Sequence, residues 1–172
     1  MADIRPGRCT ADLGAVGDEI VVFIIGMRIN KPWKVRSWWP VFTAMPRMLR
    51  YLQRHPDKGL LGYHMAFSPH PGVVQYWRTF DHLERFARDP SDPHLEPWRR
   101  FNRLARESAD VGIWHETYRV RTDSIETIYT GMPAYGLAAA TASMPVRPGR
   151  SSAAVRIGAR TLDEPAVPAP DA

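Results

Sequence analysis

The sequence predicts one α+β domain with the element order β-α-β-β-α-β, the ferredoxin-like order with an antiparallel sheet. A long β-branched apolar run near the N-terminus is typical of a central strand. Two strand patterns joined by a turn rich in proline predict a β-hairpin. Segments with apolar residues three and four positions apart flank this hairpin and predict helices.

The first half of the domain is predicted to be a strand and a long helix. Residues Glu19–Ile29 are apolar at successive positions, as in a strand that is covered on both faces. After a turn at residues 30–32, Pro40 suits the first turn of a helix, whereas Pro46 is expected to kink it or to mark a bend. The apolar stripe of this helix comprises Trp38, Val41, Phe42, Met45, Met48, Leu49 and Leu52.

A β-hairpin and a short helix follow. Residues 59–67 and 73–78 are predicted to be the two strands, because residues 68–72, Ser-Pro-His-Pro-Gly, favour only a turn. Thr79 then suits the N-cap of a helix that the proline-rich break at residues 89–93 ends. The apolar residues of this helix are Phe80, Leu83 and Phe86.

A third helix and a last strand complete the order. His94 lies in the first turn of the helix or just before it, because two nearby prolines both suit a first helical position. Residues 112–121 predict the fourth strand, residues 124–129 a further short strand, and residues 131–136 a turn. The apolar residues of the helix are Trp98, Phe101, Leu104 and Ala105.

The composition fits one domain with flexible ends. The chain has 172 residues, enough for one core but few for two ordinary domains and a tail. Residues 1–17 lack periodicity and residues 145–172 are rich in Pro, Ala and Arg, so both are expected to be flexible. The ordered domain is predicted to span residues 18–144. Cys9, the single cysteine, excludes an internal disulfide and is expected to be a free surface thiol.

Charge and hydropathy restrict the partners. The formal net charge is +5, but the arginines lie on helices and lack aromatic-basic motifs, which is typical of solvated faces rather than of a nucleic-acid interface. No apolar stretch reaches the roughly 18 residues that a membrane helix needs, and residues 21–25 lack the flanks of a signal peptide. We therefore expect a cytoplasmic protein with no nucleic-acid partner and no stable membrane anchor.

The first strand also predicts self-association. If helices cover one face of the sheet, the other face of Glu19–Ile29 exposes a large apolar patch in a monomer. Sheet-to-sheet pairing of two copies would cover this patch. The sequence therefore predicts a two-fold symmetric homodimer.

Several motifs, in order, carry a resemblance to a known family. They are Phe23-Ile-Ile-Gly-Met-Arg-Ile-Asn30, Tyr76-Trp-Arg-Thr-Phe80, Asp92-Pro-His-Leu95, Trp98-Arg-Arg-Phe-Asn102, Gly112-Ile-Trp-His-Glu-Thr-Tyr118 and Tyr129-Thr-Gly-Met-Pro-Ala-Tyr-Gly-Leu137. Together they resemble the bacterial monooxygenase-like family long described as a domain of unknown function, DUF4188, over residues 18–144.

This resemblance implies the dimeric α+β barrel superfamily. Its members include cofactor-free quinone-forming monooxygenases, haem-degrading oxygenases, chlorite dismutase and aldoxime dehydratases, and also signalling and structural modules. The family is distantly similar to spheroidene monooxygenase, a carotenoid oxidase associated with haem. The resemblance therefore implies an oxidative or haem-dependent role.

The fourth strand separates the candidate catalytic residues by face. Glu116 and Tyr118 share one face with Trp114, whereas His115 lies on the other face. The neighbouring first strand carries Arg28 after its apolar run, so an Arg28–Glu116 ion pair is a geometric possibility. Such a pair would orient a substrate carboxylate or a haem propionate, or would form a structural salt bridge at the strand ends.

Histidines are the candidate metal ligands. His94 is the first choice for the axial ligand of haem, because it lies at the junction of the two later helices; in the alternative, it buttresses a proline-rich turn. The superfamily's haem oxygenases carry their ligand in the corresponding helical region, where Trp98 aligns nearer than His94 and is expected to contact the cofactor. His115 is the second candidate, as a ligand, a general base or a packed residue that faces the dimer partner. His64 is the third. The remaining histidines are expected to be exposed: His55, His70 and His82.

The aromatic and methionine residues suit either a pocket for a flat hydrophobic ligand or an ordinary core. The chain lacks a GxGxxG turn, a P-loop, a GxSxG elbow and an HExxH motif, so neither nicotinamide, nucleotide triphosphate nor serine-hydrolase chemistry is supported. The aromatic and methionine residues that would line such a pocket or core are Trp38, Trp39, Tyr63, Trp77, Trp98, Trp114, Tyr118, Met45, Met48 and Met65.

The sequence therefore predicts a haem-dependent monooxygenase that acts on an apolar or aromatic small molecule, with O2 as a possible co-substrate. Haem b would bind to His94, Arg28 would orient an anionic group, and Glu116 or Tyr118 would handle protons. Three alternatives remain open: a cofactor-free monooxygenase, a haem-dependent lyase similar to aldoxime dehydratase, and a non-catalytic binding module.

Overall fold

The computed structural model describes residues 4–67 and 69–161, with residues 104–107 described by their backbone alone. The side chains of Leu104 and Ala105, and residues 162–172 of the predicted tail, lie outside the described part. In chain order the elements are β1 (Arg8–Ala11), β2 (Glu19–Ile29), α1 (Val35–Arg54), β3 (Leu60–Ala66), β4 (Gly72–Trp77), α2 (Phe80–Arg88), α3 (Leu95–Glu107), β5 (Val111–Arg121), β6 (Tyr129–Thr130), α4 (Gly136–Ala140), β7 (Ser143–Pro145) and α5 (Ala153–Arg156).

The larger sheet confirms the predicted fold class. Its strand order is β3-β4-β2-β5, which is the ferredoxin-like order for the β-α-β-β-α-β sequence of β2, α1, β3, β4, α2 with α3, and β5. β4 pairs antiparallel with both β2 and β3. The sheet is open within one chain, so closure into a barrel would require a second copy.

The described part of the chain divides into two compact units. Among the described residues, those within 21–119 form one unit, and those within 4–20 and 120–161 form the other. In the second unit, β1 pairs with β6 and with β7 in a three-stranded antiparallel sheet. The predicted flexible arm therefore contains a paired strand, and Cys9 on that strand is buried rather than a surface thiol. The predicted tail includes α5.

The core of the larger unit lies between the sheet and the helices. Val21 on β2 and Trp77 on β4 are fully buried and pack with residues of α1 and α2. The side of the sheet that carries these two residues is called the helix side below, and the opposite one the open side. The remaining buried residues of the cluster are Met48, Leu52, Leu83 and Phe86.

Helix α1 differs from the prediction at Pro40 and continues through Pro46. The helix starts at Val35, so Pro40 lies beyond the first turn, and Pro46 lies inside a helix that continues to Arg54. Each proline removes one backbone hydrogen bond. The burial of Leu49 and its neighbours on the core keeps the chain helical through both positions.

The shorter elements confirm one local prediction and correct another. The Thr79 hydroxyl accepts a hydrogen bond from the backbone N–H of His82 and caps α2, as predicted. The short strand expected at residues 124–129 is wrong, because Thr122–Ser124 forms a 3-10 turn and β6 contains only Tyr129 and Thr130. In the part of the chain that the structure describes, no helix is long and apolar enough to cross a membrane.

Candidate functional site

Strand register fixes which side chains share a side of the sheet. Phe23 pairs with Gln75, and Gln75 pairs with Tyr63, so these three residues form a row across three strands. They lie on the helix side, because Phe23 packs against the core cluster. Gly26 is three positions after Phe23 on β2, and successive residues of a strand alternate between its faces, so Gly26 lies on the open side.

Gly26 is placed so that the indole of Trp114 can cover it. A Cβ atom at Gly26 would lie 2.7 Å from the ring of Trp114, closer than real carbon atoms approach. This contact puts Trp114 on the open side of β5. It also explains why a glycine interrupts the apolar run of β2.

The Arg28–Glu116 ion pair that the sequence allowed does not form. A Cβ atom at Gly112 would lie 3.9 Å from the Cβ atom of Arg28, so Arg28 lies beside the start of β5. Glu116 is four residues further along that strand, or about 13 Å away. Both residues lie on the open side, but register separates them.

Glu116 and Tyr118 do come together. The Tyr118 hydroxyl donates a 2.6 Å hydrogen bond to a carboxylate oxygen of Glu116, and both side chains are exposed. This hydrogen bond to a carboxylate raises the pKa of Tyr118 above its ordinary value. The predicted proton-handling residues therefore form a pair that keeps its phenolic proton.

His115 lies on the helix side, and not on the side predicted to face a dimer partner. Its ring centroid is 5.5 Å from that of Phe23, whose strand neighbour is Gln75. The sequence separated His115 from Glu116 correctly by face, but it could not assign the faces to helices or solvent. This side chain is exposed at the edge strand β5.

The imidazole of His94 is held by a backbone hydrogen bond at Nδ1. Its Nδ1 lies 3.1 Å from the backbone carbonyl oxygen of Ala87 and donates to it, because a carbonyl only accepts. The proton on Nδ1 leaves Nε2 with a lone pair. Burial lowers the pKa of His94, partly opposed by this hydrogen bond, so the neutral form is favoured.

Aromatic rings flank His94. The centroid of Phe86 is 5.8 Å away, and Trp98 stacks on the imidazole at 6.2 Å with an interplanar angle of 21°. Phe101 stacks in turn on Trp98. His94 and Trp98, which the sequence assigned to one site, therefore do lie together, and the set Phe86, His94 and Trp98 is called the His94 cluster below.

Asp92 anchors the segment that leads to His94. Its carboxylate is fully buried and accepts hydrogen bonds from the Tyr51 hydroxyl at 2.7 Å and from Lys58 Nζ at 2.9 Å. The hydrogen bond to Asp92 raises the pKa of both donors. The sequence placed Asp92 only in a helix break, because the partners come from a distant helix and turn.

Gln75 is a second residue that the sequence pattern did not identify. Its side chain is buried, accepts a 2.9 Å hydrogen bond from the indole N–H of Trp77, and lies 3.7 Å from the sulfur of Met45. The available signal was one amide in the apolar run Val-Val-Gln-Tyr-Trp. A buried amide of this kind requires partners, because desolvation without them is costly.

The other histidines have structural contacts. His64 is half-buried on the open side, 6.0 Å from the ring of Tyr76, and burial lowers its pKa. The expectation of exposure is wrong for the remaining three, which are half-buried. His55 Nδ1 bonds the backbone oxygen of Tyr51, and His82 Nδ1 bonds the hydroxyl that caps α2.

The aromatic residues do not share one pocket. Trp77 is in the core, Trp98 is in the His94 cluster, and Trp114 is on the open side. Trp38 and Trp39 belong to a separate group on α1. A surface cavity of about 500 Å³ lies on α2 and is lined by charged side chains: Asp81, Glu84, Arg85, Arg88 and Asp89.

The sheet therefore divides the predicted site into two groups. One group belongs to the helix layer or the helix side of the sheet: His94, Trp98 and His115. The other group belongs to the open side: Arg28, Glu116 and Tyr118. Among the described residues, no three His, Cys, Asp or Glu side chains are grouped to hold a metal ion.

Aldoxime dehydratases of known structure share this fold. The chain is similar to the aldoxime dehydratase OxdRE in complex with butyraldoxime, with a TM-score of 0.54 and 18% identity over 66% of this chain and 34% of that one. A second aldoxime dehydratase matches with a TM-score of 0.56 and 16% identity over 83% of this chain and 42% of that one. The chain thus spans about two fifths or less of the length of these enzymes. SnoaB, a cofactor-independent oxygenase from Streptomyces nogalater, matches with a TM-score of 0.43 and 14% identity over 62% and 96% of the two chains.

No curated protein matches the sequence. The family described as "Monooxygenase af470-like" matches residues 20–137, which is more than half of the chain and includes the ferredoxin-like sheet, the helices around it and the His94 cluster. The chain belongs to this monooxygenase family.

Proposed function

We propose that the chain is a monooxygenase for an apolar or aromatic small molecule, with haem b bound through His94. One observation carries the proposal: the Nδ1 proton of His94 is held by the Ala87 carbonyl, which leaves the Nε2 atom of the neutral imidazole with a lone pair for a metal. Imidazole ligands of metals are commonly oriented by such a hydrogen bond on their other nitrogen. Membership of a monooxygenase family supports the enzymatic role.

The residues around His94 fit an imidazole ligand. Phe86 and Trp98 restrict the ring, and the buried Asp92 anchors the preceding segment, so Nε2 is held in one orientation. When bound, haem would supply one-electron and oxygen chemistry. Arg28 would not anchor its propionates in this arrangement, because Arg28 lies on the other side of the sheet.

The absorption spectrum tests the cofactor. The protein as isolated, or after incubation with haem, should show a Soret band that dithionite shifts. His94→Ala should lose or shift this band, and added imidazole should restore it, whereas His70→Ala, a histidine in the hairpin turn, should leave it unchanged. A wild-type protein without a Soret band after reconstitution would refute the haem proposal.

A cofactor-free monooxygenase is the second candidate, and the position of His115 favours it. His115 lies on the helix side, with its ring beside Phe23, where an imidazole can act as a general base toward an aromatic substrate. This version predicts a colourless protein that consumes oxygen with anthrone-like substrates and loses this activity in His115→Gln. Conversion of an aldoxime by the haem-loaded protein would instead indicate a lyase, and ligand-induced stabilisation without turnover would indicate a binding module.

We also propose that the protein works as a homodimer through the open side of the larger sheet. This side carries half-buried apolar residues, and Trp114 and Tyr118 on β5 are exposed large apolar residues. A second copy would remove them from water. Light scattering should give a dimer mass for the wild type and a monomer mass for Trp114→Lys with unchanged circular dichroism. A monomeric wild type would refute the proposal.

A further inference from the structure

The N-terminal half of α1 and the turn before it expose four large apolar side chains. Trp33 is 75% exposed, Val35 49%, Trp39 53% and Phe42 41%. Val35, Trp39 and Phe42 are spaced i, i+4 and i+7, so they form one stripe on the helix. The buried residues of α1 form a different stripe on the core. These four residues are called the α1 aromatic surface below.

The α1 aromatic surface is well organised. The rings of Trp39 and Phe42 stack at 6.0 Å, and Trp38 contacts both of them edge-on from the half-buried side. The indole N–H of Trp38 donates a 2.9 Å hydrogen bond to the backbone oxygen of Pro32, in the turn that carries Trp33. Ring stacking therefore holds Trp39, and the hydrogen bond from Trp38 ties the turn that carries Trp33 to α1.

Positive charge borders this surface. Residues 28–56 contain seven Arg or Lys residues and no Asp or Glu. Four exposed arginines lie about 90° around α1 from the aromatic stripe, one of them beside the stripe and three on the C-terminal half of the helix. Lys31 and Lys34 are partly neutralised by the buried Asp110, so the arginines carry most of the local charge. These arginines are Arg36, Arg47, Arg50 and Arg54.

We propose that the α1 aromatic surface docks the protein on an anionic lipid membrane. Tryptophan prefers the boundary between headgroups and acyl chains, and a helix with an aromatic stripe beside a basic stripe lies in the plane of that boundary. Arginines on the same helix attract anionic headgroups. The contact is peripheral and reversible, in agreement with the lack of a spanning helix among the described residues.

Vesicle sedimentation tests the docking. The full chain should bind vesicles of 70% phosphatidylcholine and 30% phosphatidylglycerol more tightly than vesicles of phosphatidylcholine alone, and less tightly as salt rises. The double variant Trp33→Ser, Trp39→Ser should weaken this binding about tenfold or more, because two indoles no longer enter the interface. Brominated lipids should quench the tryptophan fluorescence of the wild type more than that of this variant.

Matched variants test whether vesicle binding depends on where the arginine and aromatic residues lie or only on how many there are. Arg36→Gln with Arg47→Gln should weaken binding to the anionic vesicles about fivefold or more. The control pair Arg99→Gln with Arg100→Gln removes the same charge from α3, and Phe80→Ser removes an exposed aromatic residue from α2; both should leave the binding within about twofold of wild type.

Three outcomes would overturn the proposal. The first is a wild type that does not bind anionic vesicles at low salt. The second is equal weakening by the α1 and α3 arginine pairs, which would indicate general charge attraction. The third is a tryptophan variant that changes the mass of the particle, or the affinity for single-stranded DNA, without changing vesicle binding; the surface would then contact a second copy or a nucleic acid.

Discussion

Replacement of Gln75 by leucine should destabilise the protein, although the new side chain is apolar and of similar size. The reason is the indole N–H of Trp77, which is fully buried and donates to the Gln75 side-chain oxygen at 2.9 Å. In Gln75→Leu this donor has no partner and no access to water. The cost of such an unpaired buried donor is about 1–3 kcal/mol.

A double-mutant cycle isolates this hydrogen bond. Trp77→Phe alone leaves the Gln75 oxygen unpaired and also opens a cavity, so its cost should exceed that of Gln75→Leu. In the double variant neither partner remains, so the loss should fall short of the sum of the single losses by about 1 kcal/mol or more.

Urea unfolding, monitored by far-ultraviolet circular dichroism, gives the free energy of unfolding of the wild type, the two single variants and the double variant. For a domain of this size, Gln75→Leu should lower the melting temperature by about 2–4 °C for each kcal/mol. Gln53→Leu, the same change on the exposed face of α1, is the control and should stay within about 0.5 kcal/mol of wild type. Strict additivity in the cycle, or a Gln75→Leu variant as stable as wild type, would contradict a buried bond between these side chains.

Three further variants test other parts of the structure. Gly26→Val should lower the free energy of unfolding in urea by about 1–3 kcal/mol, because its Cβ atom collides with the ring of Trp114. Gly112→Ala should lower it less, because no neighbour lies closer than 3.9 Å. Equal losses of stability would refute the strand register. Asp92→Asn should lower the melting temperature and return the pKa of Tyr51 toward its ordinary value in an ultraviolet pH titration, and an unchanged titration would disprove the hydrogen bond. Burial lowers the pKa of His94, so the unfolded chain takes up its proton more readily and wild-type stability should fall as the pH drops from about 7 to about 5. His94→Gln should reduce this fall, and the same pH dependence in both proteins would show that His94 titrates normally.

Local sequence patterns predicted most of the larger sheet. The apolar run Glu19–Ile29 is β2 without change of boundaries, and the turn rich in proline joins β3 to β4 as expected. Thr79 caps α2 because its hydroxyl bonds an N–H only three residues away. These features depend on neighbours in the chain, so the sequence contains the information that specifies them.

Chain ends and prolines were harder to predict. β1 lacks an apolar pattern and exists because β6 and β7, more than a hundred residues away, supply its hydrogen bonds. Pro46 lacks the backbone N–H that a helix interior uses, yet α1 continues through it to Arg54 with buried residues on its core face. In both cases distant contacts decide the local structure.

The sequence by itself determined the ferredoxin-like order, the alternation of His115 and Glu116 between two faces, and the place of His94 at a helix junction. Only the tertiary structure decided which face of the sheet meets the helices, and therefore that His94 and Arg28 lie on opposite sides. It also decided the strand register that separates Arg28 from Glu116, and the burial of Asp92 and Gln75 with their partners. Periodicity fixes the relative positions of side chains within one element, whereas sites are built from residues that only packing brings together.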